Sequence, residues 1–206
     1  GAPNKRNYAL MYGWDGCAIV SAKKNVHLIG KIISDLAQEQ NKDPFDVLAD
    51  LFIEERDDIL TSVDVMSKDD MKFAMKQDWV MFGSDGGAKP YKGKPIHPRN
   101  YGSFPRVLRK YVREENAVTL EQAVSKMTSV PAQLLQIKQR GLLLPGYKAD
   151  IVIFDPEKIT DNATYTDPHQ YSTGIEYVLI NGKMTIEDGQ YNKMLNGKIL
   201  LLTENK

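Results

Sequence analysis

The sequence predicts an α/β chain whose last part is rich in β-strands. A strand over residues 59–66, a short helix and a strand over 79–83 follow one another, an order typical of parallel strands joined by a crossover helix. From Pro145 onward the apolar residues form short β-rich runs, and Asn181-Gly182 separates two of them. This pair is the strongest short hairpin signal, because both turn residues need positive φ.

The first elements are predicted to be two short strands and two amphipathic helices. The runs Tyr8–Met11 and Cys17–Val20 indicate strands on either side of a turn. Apolar residues at helical spacing then predict two helices, whose inward stripes are Ile29, Ile32, Ile33, Leu36 and Ala37, followed by Phe45, Leu48, Leu51 and Phe52. Asp43 and Pro44 favour the start of the second helix, as its N-cap and first residue. The acidic run 54–58 indicates a solvated helix end.

Three helices are predicted between the 79–83 strand and the β-rich tail. They follow a long loop over residues 87–103, and loops of this length are usually functional or mobile. Their apolar faces are Phe104, Val107, Leu108, Tyr111 and Val112 in the first, Leu120, Ala123, Val124 and Met127 in the second, and Leu134 and Leu135 in the third. Thr119 and Gln122 form a capping-box pattern, and Gly141 favours a left-handed end of the third helix.

The tail is predicted to hold one strand and a hairpin. Ala149–Phe154 indicates a strand, and Ile175–Ile180 and Lys183–Ile186 indicate the two strands of the hairpin. The change from helical to β character predicts a domain boundary, with one domain over residues 1–144 and a smaller β-domain over 145–206.

Composition limits the classes of function. Lysine plus arginine and aspartate plus glutamate each total 27, so the net charge of zero provides no field for nucleic acid or an acidic membrane. The single cysteine, Cys17, excludes an intrachain disulfide and a multi-cysteine zinc site. No apolar run is long enough to span a bilayer. The sequence begins with Gly1 rather than Met, so we expect the natural N-terminus to lie upstream; the compartment stays open, with the cytoplasm favoured.

A carboxylate follows the predicted 79–83 strand. Asp85 lies there between Ser84 and Gly86. The carboxyl end of a buried strand is where α/β enzymes place catalytic groups. The alternative is an ordinary turn, because Ser, Asp and Gly are common turn residues. Asp85 is therefore a candidate catalytic residue.

A series of motifs continues from this carboxylate toward the C-terminus. They are Gly83-Ser84-Asp85-Gly86, the run 97–102 (His-Pro-Arg-Asn-Tyr-Gly), Phe104-Pro105-Arg106, Leu120–Ala123, Met127-Thr128, Pro131-Ala132, Arg140-Gly141, Pro145-Gly146, Ala149–Asp155 and Asp161–Thr164. Their order resembles the C-terminal part of the N-acyl-D-amino-acid deacylases (D-aminoacylases) of the amidohydrolase superfamily. The tail alone indicates only the superfamily, whereas the Ser-Asp-Gly and His-Pro-Arg motifs point to the deacylase branch.

The resemblance implies a (β/α)8 barrel with a small β-domain, and one or two zinc ions held mainly by histidines and a cysteine. The histidine ligands are expected upstream, since this sequence has only His27, His97 and His169, none in a His-x-His pair. A whole barrel needs about 250 residues. We therefore expect a fragment with the last barrel strands and helices in residues 1–144 and most of the β-domain in 145–206. The resemblance implies that the two helices between residues 29 and 54 form a helical insertion of the barrel part. We expect no activity from the fragment alone.

The resemblance also implies roles for three residues. Asp85 matches the carboxylate that acts as general base on the metal-bound water and then passes the proton to the leaving amine. Arg99 is expected to grip the substrate carboxylate in a bidentate fork, and His97 is grouped with it as substrate-binding. The alternative is that His97 and Arg99 only hold the long loop. No residue of this chain is assigned as a metal ligand.

Two rival functions stay open beside an N-acyl-D-amino-acid deacylase. The chain could be a non-catalytic or split homologue that serves as an assembly module, where an exposed barrel edge would favour a homodimer. It could also come from an amidohydrolase that acts on another amide or a cyclic amide, because the tail motifs are widely shared. The expected partner of the enzyme is a small N-acyl amino acid.

Overall fold

A computed structural model describes residues 8–56, 58–87 and 96–200. The helices are α1 (Tyr8–Tyr12), α2 (Ile33–Gln40), α3 (Pro44–Glu55), α4 (Lys68–Lys76), α5 (Arg99–Arg106), α6 (Leu120–Met127) and α7 (Ser129–Leu134). The strands are β1 (Cys17–Ala22), β2 (Ile59–Val63), β3 (Ile151–Phe154), β4 (Ile175–Ile180), β5 (Lys183–Glu187) and β6 (Gln190–Tyr191). A 3₁₀ turn covers Val26–Leu28, and a π-helix over Val107–Glu114 continues α5 directly. Within the described ranges, no helix is both long and apolar enough to cross a bilayer. The mixed α/β content is confirmed.

The chain divides into two compact units, of which the first contains the residues up to Lys68. A segment ending at His97 and the stretch Thr164–His169 also belong to it. Strands β1 and β2 pair antiparallel, with a bulge between Ile19 and Ser21. The core of this unit is built from side chains of the sheet and of α2 and α3, mainly Ile19, Ile33, Leu36, Val47 and Leu51.

Two predicted elements of this unit differ in the structure. The predicted strand over Tyr8–Met11 is wrong, because the Gly13 N–H donates to the Ala9 carbonyl at 2.9 Å and closes a helical turn within α1. The first predicted helix corresponds to α2 and begins later than expected, at Ile33. Ile32 is extended instead and forms a bridge with Ala18, so it extends the sheet rather than the helix.

Helix α3 begins as predicted and presents a different face. The Asp43 carboxylate accepts the Phe45 N–H at 2.8 Å, and Pro44 is the first helical residue. The buried positions are Val47, Leu51 and Glu55, one helical turn apart, whereas Phe45 is exposed. The helix is therefore rotated relative to the predicted stripe, and this rotation brings Glu55 inward.

Glu55 contradicts the expectation of a solvated acidic run, because it is only 2% exposed. Its carboxylate accepts the backbone N–H groups of Lys23, Lys24 and Asn25 at 2.7–3.1 Å, and also the Asn25 side-chain amide at 2.9 Å. Burial alone would raise the pKa of Glu55, but these donors outweigh burial and lower the pKa from 4.5 to about 2. Glu55 thus fixes the turn after β1 to the end of α3.

This carboxylate predicts a pH dependence of stability. Because its pKa is lower in the folded chain, its contribution is fully present above about pH 4.5 and is lost as the pH falls toward 2. We expect Glu55→Gln to lower the thermal midpoint at pH 7 and to flatten its dependence on pH between 4.5 and 2. Circular dichroism melts at stepped pH would measure both, with the exposed neighbour Glu54→Gln as the matched control. Parallel pH curves for wild type and Glu55→Gln would contradict the prediction.

The second unit contains Asp69–Gly87, Pro98–Ala163 and the residues from Gln170 onward that the structure describes. Its sheet is antiparallel, in the order β3-β4-β5-β6. Asn181 and Gly182 have φ of 52° and 76°, so the predicted hairpin turn is confirmed. The capping box of Thr119 and Gln122 is confirmed as well. The core of the unit is formed chiefly by Met75, Val107, Leu108, Tyr111, Val118, Ala123 and Ile159.

The predicted strand over residues 79–83 is wrong. Trp79 is 77% exposed, and the Val80 N–H donates back to the Gln77 carbonyl, so this part turns after α4. The Phe82 N–H donates to the Lys126 carbonyl at 3.1 Å rather than to a strand. The predicted parallel crossover is also wrong, because β2 pairs antiparallel with β1 in the first unit. An apolar run becomes a strand only where another strand pairs with it.

Several predicted inward faces are only partly right. Val107, Leu108, Tyr111 and Ala123 are buried as expected, whereas Phe104, Val124, Leu134 and Leu135 are exposed. Helix α7 ends at Leu134, so Gly141, whose φ is +82°, does not terminate it. Helical spacing identifies apolar positions, but a neighbouring element decides which of them are covered.

Candidate active site

Asp85 lies in the loop Ser84–Gly87, which follows the turn after α4. Its φ is +46°, in the left-handed region, and its side chain is 84% exposed. The Gly86 N–H donates to the Ser84 hydroxyl oxygen at 3.1 Å, which is the local turn chemistry expected for serine. The loop therefore has the turn geometry of the alternative interpretation and also presents the candidate carboxylate to solvent.

Arg99 is the first residue of α5 and lies beside this carboxylate. Its Nη1 is 3.0 Å from the Asp85 Oδ2, and the guanidinium side chain is 42% exposed. The structure thus brings together two of the three residues that the motifs single out. A charge-assisted contact of this kind fixes the orientation of both groups more firmly than a neutral hydrogen bond.

His97 belongs to the first unit and has a different neighbour. Its Nε2 is 3.1 Å from the Tyr165 hydroxyl, and the two rings meet edge to face with centroids 5.0 Å apart. Such an aromatic contact holds a loop side chain in place. A role of His97 in substrate binding stays a prediction.

The backbone before Asp85 is fixed by a buried lysine of α6. The Lys126 ammonium donates to the carbonyl oxygens of Gln77 and Val80, and the Lys126 carbonyl accepts the Phe82 N–H. This lysine also lines a cavity of about 290 Å³, together with Asp78, Glu121, Gln122, Ser125 and Val130. None of the three candidate residues lines that cavity, so we assign the cavity no part in the chemistry.

Asn100 also contributes to this region, although the sequence does not single it out. Asn100 belongs to the His-Pro-Arg-Asn motif, for which the sequence predicts roles only at His97 and Arg99. Its side-chain oxygen accepts the Gly87 N–H at 3.0 Å. The available signal was an asparagine beside Arg99, since Asn side chains often bond nearby backbone groups. The sequence alone does not show that the backbone group bound by Asn100 is the Gly87 N–H, which lies 13 residues earlier in the chain.

The described part of the chain does not fit a metal site by itself. Within residues 8–56, 58–87 and 96–200, no three His, Cys, Asp or Glu side chains come together closely enough to hold an ion. Structural and catalytic zinc sites need three or four such ligands. The assignment of no metal ligand to this chain stays a prediction.

Known proteins resemble the chain over part of their length. An N-acyl-D-glutamate deacylase from Alcaligenes xylosoxydans xylosoxydans is 44% identical over 117 residues, which are 57% of this chain and 23% of the relative. A D-aminoacylase from the same organism is 34% identical over 176 residues, which are 85% of this chain and 35% of the relative. The chain thus spans between about a quarter and about a third of these relatives.

A solved structure and a family model agree with these relatives. The N-acyl-D-glutamate deacylase of Bordetella bronchiseptica, solved with zinc and a phosphonate that mimics the tetrahedral intermediate, superimposes with a TM-score of 0.64. It is 34% identical, and the match covers 89% of this chain and 38% of that one. The resemblance to deacylases that the motifs indicate is confirmed. Residues 50–186 match the model of the Amidohydrolase family, and the chain belongs to this family.

Proposed function

We propose that the chain is the C-terminal part of a zinc-dependent amidohydrolase that hydrolyses the amide bond of N-acyl-D-amino acids. The similarity to deacylases and the motifs from Ser84 onward support this function. In the longer protein, called the full-length enzyme below, residues 1–144 would contribute to a (β/α)8 barrel and residues 145–206 to a small β-domain. The 79–83 stretch would find its pairing strands there.

The observation that carries the proposal is the contact between Asp85 and Arg99 at 3.0 Å. An N-acyl amino acid has its amide nitrogen and its carboxylate on the same carbon atom. A guanidinium that binds the substrate carboxylate therefore brings the amide close to a carboxylate that lies beside that guanidinium. This geometry joins a substrate anchor to a proton-transfer group.

The proposed chemistry of Asp85 is proton transfer. Its carboxylate accepts a proton from the water whose oxygen attacks the acyl carbon, and then delivers that proton to the amide nitrogen as the C–N bond breaks. The products are a carboxylate from the acyl group and a free D-amino acid. The zinc ligands would come from the rest of the full-length enzyme, since the described residues offer no set of three.

This proposal makes a direct prediction for activity. We expect the full-length enzyme to release amino acid from N-acetyl-D-glutamate, N-acetyl-D-aspartate or N-acetyl-D-leucine, and the purified 206-residue chain to release none. Amino acid release would be measured for these substrates, for their L-enantiomers and for a cyclic amide. Zinc-dependent turnover by the 206-residue chain would contradict the fragment. Turnover of the cyclic amide alone would favour another amidohydrolase activity.

Arg99 provides a second test. We expect Arg99→Ala in the full-length enzyme to raise KM for an N-acyl-D-amino acid about 10- to 100-fold, because a charge-assisted hydrogen bond contributes roughly 1.5–3 kcal/mol. An N-acyl amine without the carboxylate should show no such rise. Steady-state kinetics with both substrates would measure the difference, and Arg56→Gln, at an exposed arginine of the first unit, is the control. Equal rises for both substrates would argue against carboxylate binding.

Other expectations rest on the sequence alone. His97 as a substrate-binding residue, a homodimer through an exposed barrel edge, and a cytoplasmic location are proposals of this kind. The contact of His97 with Tyr165 supports its alternative role in holding a loop.

A further inference from the structure

We propose that Asn100 is a positioning residue, which sets the place of the Asp85 carboxylate by holding the Ser84–Gly87 loop against the first turn of α5. This inference rests on the proposed function, because it takes Asp85 as the proton-transfer group. Asn100 is not proposed to contact the reacting atoms; it acts only by holding the loop.

The loop and the helix meet through three successive contacts. Arg99 Nη1 pairs with the Asp85 carboxylate at 3.0 Å, and Asn100 Oδ1 accepts the Gly87 N–H at 3.0 Å. One turn further along α5, the Ser103 hydroxyl lies 3.4 Å from the Ser84 carbonyl oxygen. Of these contacts, the Asn100 bond is a short, direct link to the backbone of the loop.

The loop packs closely against Asn100 at Gly86. A Cβ added at Gly86 would lie 3.1 Å from Asn100 Oδ1, 3.2 Å from Asn100 Cα and 3.3 Å from the Arg99 carbonyl oxygen. Such distances are tighter than ordinary carbon contacts, so a side chain at Gly86 would require the loop or the helix to shift by a few tenths of an ångström. The spacing between loop and helix is therefore fixed directly after Asp85.

The backbone of Asp85 needs this support. Its φ of +46° lies in the sparsely populated left-handed region, and its exposed side chain has little packing to fix it. Uncommon backbone conformations persist where the surrounding structure determines them. The contacts of Asn100 with Gly86 and Gly87 stabilise the conformation of Asp85, because they hold the two residues that directly follow it.

The type of side chain at Asn100 also fits this role. A neutral amide oxygen accepts the Gly87 N–H without placing a second negative charge near Asp85. An aspartate at this position could accept the same N–H, but its charge would disfavour the ionised form of Asp85. This difference separates the positioning effect from the charge effect in an experiment.

The test uses kinetics of the full-length enzyme with an N-acyl-D-amino acid. Asn100→Ala should lower kcat about 10- to 100-fold with KM nearly unchanged, because misplacing a catalytic group costs rate rather than binding. Gly86→Ala should produce the same pattern. Asn100→Asp should recover kcat at high pH and move the acid limb of the kcat/KM profile to higher pH. Asn192→Ala is the matched control, since its side chain donates to the Met184 carbonyl in the C-terminal sheet.

The outcomes distinguish the two levels of the proposal. Wild-type kcat in folded Asn100→Ala, together with inactive Asp85→Asn, would overturn the positioning role and leave the proposed function standing. Full activity of Asp85→Asn would remove Asp85 from the mechanism and the positioning role with it, whereas a wild-type full-length enzyme that releases no amino acid would overturn the proposed function itself. If Asn100→Ala does not fold, Asn100→Asp decides: recovery at high pH with a shifted acid limb supports the role, and low kcat at every pH overturns it. A change in KM alone would also overturn it.

Discussion

Replacing Asp85 with Asn in the full-length enzyme should lower kcat for N-acyl-D-amino acids about 100- to 10,000-fold, the range expected for loss of a general acid–base group. The amide of Asn keeps the size of the side chain and cannot accept the proton of the attacking water. KM should not rise, because Asp85 is not proposed to bind the substrate carboxylate, and removing its charge leaves Arg99 available to that carboxylate. Initial rates of amino acid release over a range of substrate concentrations would separate the two parameters.

A matched substitution controls for the loss of one negative charge in this segment. Asp78 is exposed and lies shortly before the Asp85 loop, so Asp78→Asn should keep the kcat of the wild type. Activity of Asp85→Asn within a few-fold of wild type would remove Asp85 from the mechanism. It would leave the loop as an ordinary Ser-Asp-Gly turn, the alternative that the sequence allows.

The second large effect is expected on stability. Asp161→Ala should lower the free energy of unfolding of the 206-residue chain by about 2–3 kcal/mol, since it removes the buried carboxylate that pairs with Arg106 and Arg109. Among the described residues, only Arg109 then keeps another charged partner, Glu114. The Asp161 side chain is 4% exposed and accepts Arg109 Nε at 2.6 Å and Arg106 Nη1 at 3.2 Å. Its hydrogen bond is the main reason that the pKa of Arg109 lies above its usual value. Both guanidiniums are partly exposed, so the loss stays at the lower end of the range for buried pairs.

Urea unfolding followed by circular dichroism would measure this loss. The control is Lys158→Met, which removes an exposed ion pair with Asp155 at 3.0 Å and should leave the urea midpoint almost unchanged. Equal midpoints for Asp161→Ala and Lys158→Met would show that the Arg106–Asp161–Arg109 cluster does not stabilise the unit. Asp161 also packs against Gly102, where an added Cβ would lie 3.0 Å from the Asp161 Cβ.

The features that the sequence predicts correctly are those decided within a few residues. Asp43 accepts a backbone N–H two residues ahead, Thr119 and Gln122 cap one another's turn, and Asn181-Gly182 adopts the positive φ of a hairpin. Each of these signals depends on a side chain and the backbone beside it. These features can therefore be predicted without knowing which distant residues pack against them.

The features that the sequence predicts wrongly depend on distant partners. The 79–83 run is apolar enough for a strand, yet its backbone bonds to Lys126 and to its own turn. Glu55 appears solvated in an acidic run and is buried, because three N–H groups of a preceding turn point at it. In the candidate site, the motifs identify Asp85 and Arg99 separately. Their contact, and the hydrogen bond from Gly87 to Asn100, cannot be predicted without knowing how the chain folds between the two motifs.

The pairing of Asp85 with Arg99 has a consequence for how a substrate is chosen. If Arg99 binds the substrate carboxylate, the same guanidinium serves two anions in turn, and the arriving carboxylate competes with Asp85 for it. A substrate that carries a carboxylate then frees Asp85 from Arg99 when it binds, whereas an uncharged amide leaves Asp85 paired with Arg99. Selection for amino-acid substrates would therefore appear in kcat as well as in KM. Added salt, which weakens exposed ion pairs, would narrow the difference in kcat between the two kinds of substrate.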